Sequence, residues 1–283
     1  MKYFYIIGNT EKTETDAVAG QIQSFLEARG AVCRICNAKD PRRSGYRYTD
    51  PQNIPADTEC VITLGGDGTM IQAARDLAER NLAMIGINLG HLGYLAQIGR
   101  KEDLSGPLED LLEDRFIREH RMMLQGTIRR QGKPDRQELA FNEIVITRQG
   151  ALKLIRFRVR VNGELLGEYR ADGMIIATPS GSTAYNLSAG GPIVEPHASL
   201  MILTPVCPHE LSGRSIVLSA EDCIEVEVLG EEKQEFMAYF DGDTGTLLKS
   251  GDRVAVKRSP TDTVLIKRKG SSFLETLRQK LAK

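Results

Sequence analysis

The chain has 283 residues, 41% of them hydrophobic and 27% charged, with 37 basic against 38 acidic side chains and a formal net charge of −1. That length favours two modest domains over one large core, in a composition typical of soluble globular proteins. The balanced charge excludes the basic excess that marks nucleic-acid and membrane-surface binders.

The first hundred residues alternate short apolar runs with helical periodicity. Residues 3–7 read as a strand, and 16–29 as a helix with Val18, Ile22 and Leu26 on one face and Gly30 as its C-terminal cap. A second strand at 31–36 contains Cys33 and Cys36. A C-x-x-C pair can be half of a zinc site, but no second pair completes it, so both read as strand residues. Residues 37–57 are polar and read as a long loop. Strands at 60–64 and 83–87 flank a helix at about 70–80. This alternation predicts parallel pairing in a doubly wound sheet. The apolar run near the start is too short for a secretory signal, and no stretch is long and apolar enough to span a bilayer, so a cytoplasmic protein is expected.

A further helix is expected at 101–114, with Leu104, Leu108, Leu111 and Leu112 as its stripe. After Phe116 the period becomes two. Residues 155–161 alternate strictly and Asn162-Gly163 marks a hairpin. Further strands are expected at 141–148, 174–178, 216–219, 223–229, 236–240, 253–257 and 263–268. Residues 272–282 read as an amphipathic helix that returns to the α/β region. The expected fold is therefore an α/β N-terminal domain with a doubly wound, mostly parallel sheet, plus a β-rich C-terminal domain. The division is set at 1–100, joined by the helical segment 268–283, and 101–267.

The sharpest chemical signal is Gly65-Gly66-Asp67-Gly68-Thr69, directly after an apolar strand and ahead of a helix. Such loops lie where open α/β sheets bind ligands. The glycines let backbone approach a phosphate, and amides at the helix start attract anions. A carboxylate in that position repels phosphate unless it takes a proton from an attacking hydroxyl or holds a bridging metal. The spacing matches neither the P-loop nor the Rossmann fingerprint. A second run, residues 179–192, is dense in Ser, Thr and Gly. It offers Tyr185 for stacking on a base and Asn186 as a donor–acceptor pair. A third signal is Asn142-Glu143 at the head of a strand, suited to an adenine edge and to ribose hydroxyls.

These motifs, together with Asn88-Leu89-Gly90-His91-Leu92-Gly93-Tyr94-Leu95-Ala96 and Pro205-Val206-Cys207-Pro208-His209-Glu210-Leu211-Ser212-Gly213-Arg214, occur in an order that resembles the NAD kinase family. The resemblance runs from the first strand to about Asp241. The GGDG loop alone is shared with diacylglycerol kinases, sphingosine kinases and phosphofructokinases; the Asn-Glu pair and the Ser-Thr-Ala-Tyr run single out NAD kinases. The resemblance implies phosphorylation of the adenosine 2′-hydroxyl of NAD by ATP or polyphosphate. It makes Asp67 the proton acceptor, with Gly68 beside it against the dinucleotide. It assigns Asn142 and Glu143 to the adenosine half, Thr183, Ala184, Tyr185, Asn186, Leu187 and Ser188 to adenine and ribose, and Lys153, Arg170 and Asp172 to the remainder of NAD. It also implies a divalent cation such as Mg²⁺ carried with ATP, with no residue assigned as its ligand. A homodimer or homotetramer with partly shared sites is implied as well. Two positions depart from the family pattern. Asp241-Gly242-Asp243 stands where Asp-Gly-Gln is frequent, so Asp243 is carried over as a late NAD contact. Ser215 stands where Pro often follows Arg214, a change expected to be structural.

Other candidates are weaker. The four histidines show no metal-ligand spacing, and the stripe Arg156, Arg158, Arg160 reads as a solvated sheet face. A lipid or sugar kinase sharing the GGDG loop is the alternative within the same chemistry, and a dinucleotide sensor without turnover is the alternative outside it. Assay of NADP formation from NAD, ATP and magnesium separates the first two, and calorimetry showing NAD binding without product from ATP or polyphosphate would favour the sensor.

Overall fold

The computed structural model describes residues 1–8, 14–36, 49–90, 93–96, 98–99, 103–149, 155–209, 213–231, 234–243, 245–270 and 272–282. The chain divides into two compact units, one formed by Met1–Arg121 with Thr261–Lys283, the other by Met122–Pro260.

The first unit contains β1 (Tyr3–Gly8), α1 (Thr15–Glu27), β2 (Val32–Ile35), β3 (Cys60–Gly65), α2 (Asp67–Asp76), β4 (Ala83–Asn88), β5 (Ile98–Gly99), α3 (Ser105–Leu112) and β6 (Phe116–Arg121). Its sheet runs β2-β1-β3-β4, then the late strand Thr263–Arg268, then β6, with β5 also on β4. All pairs are parallel except that between β6 and the late strand. β3 and β4 are buried along their whole length, which is why they read as unbroken apolar runs. Phe4, Ile6, Ile62, Leu64, Ile85 and Ile87 share a core with Ile22 and Leu26 of α1 and Leu108 and Leu111 of α3. On the opposite face Met70 of α2 packs so closely that a β-carbon at Gly86 would crowd its sulfur. Helices on both faces confirm the doubly wound arrangement.

α2 starts at Asp67, three residues ahead of its expected start, because Gly66 is extended and acts as the cap position. Thr69 folds back so tightly that a β-carbon at Gly65 would overlap its side chain. α3, β6 and the late strand lie in the first unit, whereas the expected division at residue 100 places them with the β-rich region. Strand periodicity reports which faces are buried and carries no information on which sheet a strand joins. The terminal helix Phe273–Leu281 buries none of its residues. Leu274 and Leu281 are 69% and 61% exposed, and the Lys280 ammonium stands 5.6 Å from the Tyr94 ring centroid.

The second unit contains β7 (Leu124–Arg129), β8 (Arg136–Ala140), β9 (Glu143–Arg148), β10 (Ile155–Val161), β11 (Glu164–Ala171), β12 (Gly173–Ala177), α4 (Tyr185–Ser188), β13 (Leu200–Val206), β14 (Ile216–Ser219), β15 (Ile224–Leu229), β16 (Phe236–Phe240), β17 (Thr246–Leu248) and β18 (Arg253–Arg258). They form two six-stranded sheets, β11-β10-β15-β18-β7-β8 and β14-β13-β12-β9-β16-β17, whose pairs are antiparallel. The core combines Phe157, Val226 and Val256 of one sheet with Ile144, Ile176 and Phe240 of the other. Asn162 and Gly163 both have positive φ, 52° and 84°, as a two-residue hairpin between β10 and β11 requires. Arg158 of the basic stripe pairs with Glu168 at 2.7 Å and Glu227 at 3.3 Å. Burial raises the Cys33 thiol to about 12, and no group of three metal-ligating side chains occurs among the described residues.

Candidate active site

In the first unit the chemistry gathers at the carboxyl ends of β3 and β4, where Gly65 and Asn88 are register partners. The Leu89 amide donates to the Gly65 carbonyl at 3.1 Å, and Asn88 Oδ1 accepts the Gly90 amide at 2.7 Å. The first bond ties the two post-strand loops together, and the second folds the loop after β4 on itself. The Asp67 carboxylate is then held from outside its own loop. Oδ2 accepts the Tyr94 amide at 2.7 Å, while Oδ1 accepts those of Leu95 and Ala96, each at 3.2 Å. A β-carbon at Gly93 would overlap the carboxylate, so the approach requires glycine. Asp67 is half-buried and Gly68 exposed, at a helix start whose first amides have no intrahelical acceptor.

In the second unit three strand ends converge. Register pairs Ala177 at the end of β12 with Glu143 at the start of β9, and Phe240 at the end of β16 with Ile144. Asp241, in a left-handed conformation with φ 51°, follows. Its carboxylate accepts the amides of Phe141, Asn142 and Glu143 at 2.7, 2.7 and 3.0 Å. The Asp241 amide donates back to the Glu143 carbonyl at 3.0 Å. The Asn142-Glu143 turn is therefore fixed by a residue about a hundred positions away.

Glu143 is 7% exposed, and its Oε2 has no hydrogen-bond partner among the described residues. Burial first, and then the negative charge of Asp241, raise its carboxyl to about 8, opposed by the Tyr185 amide. Thr178 joins this turn to the loop after β12. Its hydroxyl donates to the Phe141 carbonyl at 2.8 Å and accepts the Gly181 amide at 3.0 Å, while its own amide donates to the Asn142 carbonyl. Gly181 lies so close to Asn142 that a β-carbon would overlap its backbone. A 3-10 turn, Ser180–Thr183, and the single turn α4 complete the loop. Its apolar side packs on the outer sheet face through Ala189 and Val194.

Asn142, Glu143, Thr183, Ala184, Tyr185 and Asp243 thus collect at one end of the second sheet. Tyr185 is 44% exposed beside the buried carboxylate, while Leu187 is half-buried and Ser188 exposed. Asn186 is fully buried. Its amide nitrogen donates to the carbonyls of Ser182 and Pro192, both at 3.1 Å, and its oxygen accepts the Thr204 hydroxyl at 2.8 Å. Its side chain therefore braces the loop from within. Asp172 stands at the other end of β12, where it pairs with Arg148 at 3.4 Å, and Arg170 lies just before it at the end of β11. At ~3.3 Å per strand residue Asp172 is about 20 Å from Thr178, so one chain's second unit does not bring it to the cluster. Lys153 and His91 lie outside the described residues. Sequence reasoning missed Thr178, the amides of Tyr94, Leu95 and Ala96, and Asp241 as an anchor. The Asp-Gly turn at 241–242 was visible, but its amide partners were not.

The anion-attracting helix start with its anchored carboxylate, and the hydroxyl- and amide-rich turn with an unpartnered buried carboxylate, define a phosphotransferase that handles a nucleotide. The ATP-NAD kinase N-terminal domain family matches residues 4–116, and the ATP-NAD kinase C-terminal domain family matches residues 141–268. The chain is 42% identical to an NAD kinase of Lachnospira eligens over 99% of its own length and 100% of that protein's. It is 35% identical to one of Geobacter sulfurreducens over 99% and 98%. Its fold superposes on an NAD kinase from Archaeoglobus fulgidus in complex with ATP with a TM-score of 0.78 and 25% identity, covering 100% of this chain and 99% of that one. It also superposes on yeast NADH kinase complexed with NADH, at a TM-score of 0.87 and 23% identity over 100% and 88%. The chain belongs to the NAD kinase family, enzymes that phosphorylate NAD.

Proposed function

We propose that this enzyme moves the terminal phosphoryl group of ATP to the adenosine 2′-hydroxyl of NAD, with Asp67 as the base. The 2′-oxygen attacks the terminal phosphorus, its proton passes to Asp67, and ADP leaves. The observation that carries this reading is the hold on Asp67. A carboxylate has about four acceptor sites, and the amides of residues 94–96 occupy three of them. One direction on Oδ2 is left for a hydroxyl, and the group cannot swing away. Phosphoryl transfer depends mainly on such positioning and on charge stabilisation. The same reading gives Gly68 to the dinucleotide and Asn142 and Glu143 to the adenosine. A ribose hydroxyl is a natural donor for the unpartnered Glu143 Oε2. Thr183, Ala184, Tyr185, Leu187 and Ser188 line adenine and ribose, Asn186 supports them from inside, and Asp243 is a further contact.

Lys153, Arg170 and Asp172 complete the dinucleotide site in this proposal. The position of Asp172 at the far end of β12, with Arg170 two residues before it at the end of β11, favours a homo-oligomer, dimer or tetramer, in which a second copy supplies them. The proposal includes a divalent cation carried on the phosphates of ATP. No helix among those residues is long and apolar enough to cross a membrane, and a cytoplasmic location is part of the proposal. The deciding experiment incubates the protein, and its Asp67→Asn variant, with NAD, magnesium and either ATP or polyphosphate, and follows NADP. NADP formation by the unaltered protein and its loss in the variant support the reading; near-normal turnover by the variant removes Asp67 as the base.

A further inference from the structure

We infer that Ser215 is a positioning residue for the nucleotide loop, acting through a relay of side chains that ends on Asn186. This rests on the reading that residues 178–192 hold NAD.

The direction of each hydrogen bond follows from proton counting. The two contacts of Asn186 Nδ2 are both carbonyl oxygens, which only accept, so that atom is the amide nitrogen. Oδ1 is then an acceptor, and the Thr204 hydroxyl, 2.8 Å away, must donate to it. Thr204 has one proton. Its second contact, Ser215 Oγ at 2.9 Å, must therefore be the donor of that bond. The relay runs from Ser215 at the entrance to β14, through Thr204 on β13, to Asn186 inside α4, and from there to both limbs of the loop at Ser182 and Pro192. Ser182 adds a clasp, exchanging hydrogen bonds with Val194 at 3.2 and 3.0 Å.

Thr204 is 1% exposed and Asn186 fully buried, so neither can turn to water for a missing partner. Chains of hydrogen bonds in a low-dielectric interior also polarise one another. Gly191 packs so closely on the Asn186 amide that a β-carbon there would overlap it, so a displaced Asn186 moves the loop. Ser215 gives the relay its terminal donor, a role beyond backbone shape alone.

The test measures kcat and the KM for NAD and for ATP in Ser215→Ala, Ser215→Thr and Tyr185→Ala, with thermal midpoints alongside. Ser215→Ala is expected to raise the NAD KM about fivefold, the ratio that corresponds to ~1 kcal/mol for one hydrogen bond. Its kcat and ATP KM should stay within about twofold on the same scale, and Ser215→Thr, which keeps the hydroxyl, should restore the NAD KM. An unchanged NAD KM in Ser215→Ala, with a raised one in Tyr185→Ala, overturns the relay and leaves the loop assignment standing. A normal NAD KM in Tyr185→Ala overturns the loop assignment itself. Parallel loss of kcat, both KM values and thermal midpoint in Ser215→Ala reduces the residue to a fold determinant and also overturns the inference.

Discussion

Asp67 and Glu143 are carboxylates prepared by opposite means. Asp67 is half-buried and receives three amide donors, whereas Glu143 is almost wholly buried, receives the Tyr185 amide and faces the charge of Asp241. The Asp67→Asn variant is expected to lose ~10²–10⁴ in kcat, the usual range for general-base help. Calorimetry should find its NAD affinity retained, since the base acts on the transferred proton. For Glu143 the prediction concerns stability. Its carboxyl is raised to about 8 in the fold, from an ordinary value of 4.5. The folded chain thus holds that proton more tightly than the unfolded chain. Stability from this group is complete below about pH 4.5 and is lost as pH rises towards 8, at up to ~1.4 kcal/mol per pH unit. Glu143→Gln cannot ionise, so its thermal midpoint should gain on that of the unaltered protein steadily from pH 5 to pH 8. A gap that stays constant over that range would show that Glu143 is already ionised when folded.

Among the elements, short loops that hold side chains from elsewhere matter more than the strands that carry them. Gly93–Ala96 has little regular structure, yet its amides define the position of Asp67. Gly93→Ala should push the carboxylate off its mark and lower kcat by about 10²-fold, the penalty for a displacement near 1 Å. Circular dichroism and thermal midpoint should change little, because Gly93 lies on a half-exposed loop. Normal turnover in this variant would show that the loop adapts. The Asn142-Glu143 turn is built on the same plan, with Asp241 as the anchor.

Across the molecule, each unit has its own core, and residues assigned to NAD occur in both. Asp172 is the exception to the clustering, being about 20 Å along β12 from the rest of the second-unit cluster, with Arg170 just before it at the end of β11. If a second copy supplies them, mixing two inactive variants, Asp67→Asn and Asp172→Ala, should restore activity after subunits exchange. One class of hybrid site then draws an intact residue from each chain. Mixtures that stay inactive, although mass measurements show exchange, would place both residues in a site made by one chain.

The residues alone determined whatever depends on period or on local backbone. The buried runs of β3 and β4, the alternation of β10, the Asn162-Gly163 hairpin and the glycine loop ahead of α2 are all of this kind. Other elements were hidden for definite reasons. β8 is a polar edge strand. β7 carries Gly126, where a β-carbon would crowd Phe240 and Ile144 of the facing sheet, and β13 carries Pro205. Only the tertiary structure decided which side chains meet: Asp241 under the Asn142-Glu143 turn, three distant amides on Asp67, and Asn186 turned inward as a brace. It also decided that Arg170 and Asp172 stand apart. Periodicity records which face of an element is buried. A hydrogen bond across a hundred residues is set by packing and register, and leaves no mark in the local pattern.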